Sequence, residues 1–140
     1  MFFDTHAHLE DNKFKDDLEQ VIEEIKNSET SLVLNVGFNV EHIKKSLELS
    51  DKYDFIYSAV GLHPSDSLEA ASDSYWETLY NYGKYPKVKA IGEMGLDYFW
   101  DRAPREHQKK TFVSQIDIAK ELEMPIIIHD RDAHGDILEI

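Results

Sequence analysis

The sequence predicts an α/β fold built on a parallel sheet, on three observations. Apolar, β-prone runs alternate with stretches of helical periodicity along all 140 residues. Several of these runs are apolar throughout rather than at every second position, the pattern that strands covered on both faces require. No Pro-, Gly- or Ser-rich linker interrupts the alternation, so residues 1–140 read as a single domain, long enough for one modest core and too short for two.

Taken in order, FFDTH is the first strand. DDLEQVIEEIKNS follows, with Leu18, Val21, Ile22 and Ile25 spaced as one helix face. SLVLNVG is the second strand, and the Asn39 side chain can accept from a free N–H at the start of the helix EHIKKSLELSDKY, where Ile43 and Leu47 lie four apart. FIYSAVG is the third strand, and DSYWETLYNYG is a helix turning Trp76, Leu79 and Tyr80 inward. VKAIGEMG is the fourth. Pro104, with no N–H to satisfy, suits the first turn of a long helix, REHQKKTFVSQIDIAKELE, that buries Phe112, Ile116 and Ala119. PIIIH is the fifth strand, and DRDAHGDILEI reads as the opening turns of a fifth helix.

Composition removes several function classes. Hydrophobic residues at 41% and aromatics at 11%, spread along the chain, argue against disorder. No stretch approaches the roughly 18 apolar residues of a membrane helix, and the start has neither the basic region nor the apolar run of a secretory signal. A soluble cytoplasmic protein with no membrane partner is the expectation. With no cysteine, any metal has to be held by His, Asp and Glu. The net charge of −13 repels phosphate backbones, so a nucleic-acid substrate would need local positive charge from bound metals.

The chemistry-bearing residues cluster at strand ends. Side chains at i, i+2 and i+4 of a strand share a face, which aligns Asp4, His6 and His8 of DTHAH. An unpaired polar group in a dry core costs about 1–3 kcal/mol. A divalent cation would satisfy both histidines, with Asp4 as a third ligand or as an orienting group; the plainer reading is two surface histidines at a strand end. Glu93 lies near the end of the fourth strand, between Gly92 and Gly95, and His129 ends the fifth. In a parallel sheet these C-terminal ends share one rim, where active sites gather.

His63 follows the third strand, either as a donor to a substrate oxygen or as a loop histidine bonded to backbone. Asp97 is either a catalytic carboxylate for proton transfer or a turn cap. Arg131 is either a bidentate phosphate ligand or half of a surface ion pair. His42 and His107 fall in helices rich in exposed charge and read as solvated, and His134 reads as a turn residue. Tyr98, Phe99 and Trp100 either stack bases of a single strand or pack a long loop.

Four segments, D-T-H-A-H-L, V-G-L-H-P, I-G-E-M-G-L-D-Y and I-I-I-H-D-R-D-A, occur in this order over nearly the whole chain. Together they resemble the TatD family of metal-dependent deoxyribonucleases, within the amidohydrolase-like TIM barrels. The resemblance implies a (β/α)₈ barrel, of which this chain covers about the first five strands and four helices. It implies that His6 and His8 bind one divalent ion, that His129 binds a second, that Glu93 bridges them, and that substrate or phosphate is contacted near His63 and Arg131. The implied activity is hydrolysis of DNA phosphodiester bonds, often from the 3′ end, on a single strand or an end. Imidazole with carboxylate leaves Mg²⁺, Mn²⁺ or Zn²⁺ open as the two divalent metal ions.

Family members carry a further His and Asp ligand beyond the part matched here, so the isolated chain is expected to show little nuclease activity. Two alternatives remain at this point: an amidohydrolase-like enzyme for a small amide or ester, and an inactive fragment. Amide- and ester-cleaving barrels often bridge their metals with a modified lysine on the fourth strand, where this chain has Glu93.

Overall fold

Each apolar run of the sequence forms a strand, and each helical stretch returns the chain to start the next strand parallel to the last. The computed structural model describes residues 1–70 and 72–140. The strands are β1 (Phe2–Ala7), β2 (Thr30–Gly37), β3 (Ile56–Val60), β4 (Val88–Asp97) and β5 (Ile126–Arg131). They form one sheet in the order β1-β2-β3-β4-β5, with every neighbouring pair parallel. Strand order therefore equals chain order, the arrangement of a half-barrel. The helices are α1 (Leu18–Lys26), α2 (Val40–Lys52), α3 (Asp73–Gly83), α4 (Arg105–Glu121) and α5 (His134–Glu139).

The central strands β2, β3 and β4 are largely buried on both faces. On the helix-facing side, Val33 and Ile56 pack with Ile22, Leu49 and Tyr53. Val60, Val88, Ile91, Met94 and Leu96 pack with Ile43, Leu47, Leu79, Phe112, Ile118 and Ala119. Leu34, Val36, Ala59 and Ala90 form a separate cluster, with Tyr57 and Ile127 against it. At the two ends of the sheet, Phe2 and Phe3 of β1 and Ile126 and Ile128 of β5 are exposed.

Local chemistry sets the boundaries. Asn39 caps α2, its Oδ1 accepting from the His42 N–H at 3.0 Å. Pro104 occupies the cap position immediately before α4. β4 continues past the expected Gly95 to Asp97, because Leu96 and Asp97 pair with Asp130 and Arg131 of β5. Gly92 and Gly95 have φ of +143° and +142°, a region open essentially to glycine. A Cβ on Gly92 would sit 2.6 Å from the Ile127 carbonyl oxygen, and one on Gly95 would collide with the His129 backbone. These glycines let β5 lie close against β4 on either side of Glu93.

Candidate metal centre

The parallel sheet brings the C-terminal strand ends to one rim, and two groups of ligand-type side chains form there. In the first, His6 Nε2 lies 3.2 Å from His8 Nε2 and 3.2 Å from Glu93 Oε2, and His8 Nε2 is 3.7 Å from the same oxygen. His8 Nδ1 is 2.9 Å from the Val36 carbonyl oxygen, which can only accept. Nδ1 therefore carries a proton, and His8 in its neutral form turns an Nε2 lone pair toward His6 and Glu93. Two ligands each about 2.1 Å from one ion stand roughly 3.0–3.4 Å apart; the two 3.2 Å separations match this, the 3.7 Å one is slightly wider, and the nitrogen–oxygen donor set suits a divalent cation.

The second group is His63, Asp97 and His129. His129 Nε2 is 3.0 Å from Asp97 Oδ2, and its Nδ1 is 2.9 Å from Glu93 Oε1. Both nitrogens face carboxylate oxygens, so without an ion both must donate. The bond to Glu93 in the first place, reinforced by Asp97, holds the His129 pKa above the usual imidazole range. Burial pushes Glu93 up, but the His129 bond and the neighbouring histidines outweigh it and leave Glu93 low. For Asp97, burial is likewise outweighed by the Trp100 N–H and His129. Glu93 thus presents one oxygen to each group.

The His63 ring packs edge-on to His129, with centroids 4.2 Å apart. Its Nδ1 accepts from the Ser65 N–H at 3.1 Å, at the start of a 3₁₀ turn over Pro64–Glu69. Burial, and then the like charge of His129, lower its pKa. Neutral His63 therefore carries its proton on Nε2, as a donor. The Ser65 contact is the backbone bond expected of a loop histidine, and it leaves Nε2–H free to donate.

The remaining residues singled out in the sequence fall in different places. Arg131 stands over the Phe99 ring, its Cζ 4.1 Å from the centroid. A cavity of about 370 Å³ opens beside the two groups, lined by His63, Glu93, Asp97, His129, Trp100 and Arg131 among others. Asp4 is not drawn in: β1 ends at Ala7, and Asp4 Oδ1 accepts from the His6 backbone N–H at 3.1 Å instead. His42 differs from the solvated residue expected, being half-buried, stacked on Phe38 at 4.0 Å and 3.1 Å from Glu10 Oε1. His107 is also half-buried, whereas His134 is exposed and opens α5.

A family model described as "TatD related DNase" matches residues 3–140. The chain belongs to the TatD-related DNase family. It is 45% identical, over 141 aligned residues, to the "Uncharacterized metal-dependent hydrolase YabD" of Bacillus subtilis, covering all of this chain and 54% of that protein. It is 34% identical to a "3'-5' ssDNA/RNA exonuclease TatD" of Pectobacterium carotovorum, covering 95% of this chain and 51% of that one. The crystal structure of the TatD homologue YJJV from Escherichia coli superposes with a TM-score of 0.88 at 31% identity, covering 99% of this chain and 54% of the other. A TatD family hydrolase of Entamoeba histolytica, at 23% identity and a TM-score of 0.88, shares the fold. The chain spans about half the length of the curated relatives it matches.

Behind this TatD-type rim lies a polar layer that the sequence did not reveal. Glu10 is buried, accepts from Asn35 Nδ2 at 2.7 Å, and has its other oxygen 3.1 Å from His42 Nδ1 and 3.5 Å from His8 Nδ1. Glu10, followed by the Val36 carbonyl, raises the His8 pKa above the usual imidazole range. On the other side, two buried glutamines of α4 hold the loops. Gln108 brackets Asp97 by accepting from its N–H at 2.8 Å and donating to its carbonyl at 3.2 Å. Gln115 brackets Leu62, next to His63, in the same way at 2.7 and 3.0 Å.

Carboxylates behind ligating histidines fix ring orientation and basicity. Glu10→Gln, which keeps the volume and removes the charge, is expected to weaken divalent-ion binding about 10- to 100-fold. Calorimetric Mn²⁺ titration of both proteins measures this; an unchanged affinity would show that Val36 alone orients His8.

Proposed function

We propose that the chain carries the first part of a two-ion phosphodiesterase centre that hydrolyses single-stranded DNA from its 3′ end. The observation that carries this reading is Glu93, with Oε2 facing His6 and His8 and Oε1 facing His129. The exonuclease name borne by the Pectobacterium relative supports the substrate class. His6, His8 and Glu93 would hold one ion, and Glu93 and His129, with Asp97 beside them, the other, with Mg²⁺, Mn²⁺ or Zn²⁺ as the ions. Bound divalent cations lower the pKa of water and neutralise charge developing on a phosphoryl group.

The chain's own groups supply the rest. His63 Nε2–H donates to a phosphoryl oxygen, and the Arg131 guanidinium binds phosphate by two parallel bonds. Asp97, held in its charged form by the Trp100 N–H and by His129, accepts a proton at Oδ2.

The test is hydrolysis of a 5′-labelled single-stranded oligonucleotide with Mn²⁺. A chimera joining these residues to the remaining part of the Bacillus subtilis relative is expected to shorten the strand from its 3′ end. The chain alone, which spans about half the length of the curated relatives it matches, is expected to show little turnover. Cleavage limited to small esters would overturn the reading.

A pH dependence follows from the same geometry. The pKa values of His8 and His129 are raised, so the proton competes with an ion from above about pH 6.5, the ordinary imidazole value. Ion affinity is expected to fall as pH drops through those raised values, with protons released on binding near neutrality. Calorimetry in two buffers of different ionisation enthalpy measures the proton count; zero release at pH 7 would place binding elsewhere.

A further inference from the structure

We propose that Phe99 and Trp100, with Arg102 and Arg131, form a subsite that stacks an unpaired nucleobase and binds its flanking phosphate at the mouth of the centre. This deepens the phosphodiesterase reading and rests on it.

Phe99 and Trp100 are 53% and 54% exposed. Of the exposed large apolar residues on strands, Phe2, Phe3, Ile126 and Ile128 lie on the terminal strands β1 and β5, and Leu32 lies on β2 beside β1. Phe99 and Trp100 instead follow β4, which has β3 and β5 on either side. Their neighbour Tyr98 turns inward, packing on the core and donating to Asp136. The next two aromatics turn outward.

They are also held in place. Asp97 Oδ1 accepts from the Phe99 N–H at 3.1 Å and from the Trp100 N–H at 2.9 Å, while Asp97 Oδ2 meets His129. One carboxylate therefore fixes the aromatic turn relative to the group that would hold an ion. The two rings meet edge to face with centroids 4.9 Å apart, and Arg131 stands over the Phe99 ring.

Two cations stand beside the turn, although Asp66, Glu93 and Asp97 also line the cavity. In a chain of net charge −13, the cavity's Lys and Arg lining consists of Arg102 and Arg131. Their guanidinium carbons stand 5.5 and 5.4 Å from the Trp100 centroid. A half-exposed indole with two guanidinium groups over its ring matches a nucleotide of a single strand, whose base offers a π-face and whose linkage offers phosphate. Stacking tolerates any base and is lost with the base, so the subsite selects unpaired nucleotides without reading sequence.

The test needs no turnover. In a Trp76→Phe background Trp100 is the remaining tryptophan, and its emission is followed while a dT hexamer or an abasic hexamer of the same length is added with Mn²⁺. The dT hexamer is expected to quench Trp100 and to bind at least about tenfold more tightly than the abasic one. In the otherwise native chain, Trp100→Ala should lower dT affinity about tenfold by fluorescence anisotropy, leave Mn²⁺ affinity unchanged, and be largely restored by Trp100→Phe. Equal binding of both hexamers, or dT binding insensitive to Trp100→Ala, overturns the subsite while leaving the phosphodiesterase reading in place. Binding of neither hexamer overturns both.

Discussion

Glu93→Gln is expected to cut divalent-ion affinity by more than about a hundredfold, exceeding the loss from any group behind the ligands. The substitution preserves shape, so the effect isolates charge. Glutamine would turn a donor amide toward either the His6–His8 pair or His129, where each oxygen of Glu93 now lies within 3.7 Å of an imidazole nitrogen. The pKa of His129, raised first by Glu93, should fall toward the ordinary imidazole value. Its stabilising charged form would then be lost at lower pH as pH rises. Mn²⁺ calorimetry and an NMR titration of the His129 ring check the two consequences separately. Unaltered affinity would show that the carboxylate is not a shared ligand.

Gly95→Ala should produce the largest structural effect. The backbone at Gly95 has φ +142°, and an added Cβ meets the His129 backbone, with which Gly95 is paired across β4 and β5. The φ strain costs about 1–3 kcal/mol and the overpacking about as much again. Against a typical domain stability of about 5–15 kcal/mol this is severe. The melting temperature by circular dichroism should drop markedly, and the folded fraction should bind Mn²⁺ poorly because His129 is displaced. A variant as stable as the parent would mean that the strands separate at no cost.

Much of this could be read from the letters because periodic burial leaves a periodic pattern. The Ile43 and Leu47 face of α2, the Asn39 cap and the span of α3 were all visible, since each depends on neighbours close in the chain. His6, His8, Glu93 and His129 were visible as polar interruptions at strand ends, and the fold brings them together. What escaped depends on long-range packing. His42 looked solvated among charged helix residues because nothing local announces a stack on Phe38 or the pairing with Glu10, 32 positions away. Gln108 and Gln115 look like ordinary helix formers, and only their meeting with loops after β3 and β4 gives them work. Asp97 and His63 were each open to two readings because their partners, the Trp100 N–H and the Ser65 N–H, depend on turn geometry.

The placement of Gln108 and Gln115 on one face of α4 makes that helix a common fastener for the end of β4 and the loop after β3. Were α4 to peel away from the sheet by local thermal opening, the bonds that bracket Leu62 and Asp97 would be lost in the same event. Warming should therefore blunt ligand capture abruptly rather than gradually, at a temperature below that of global melting.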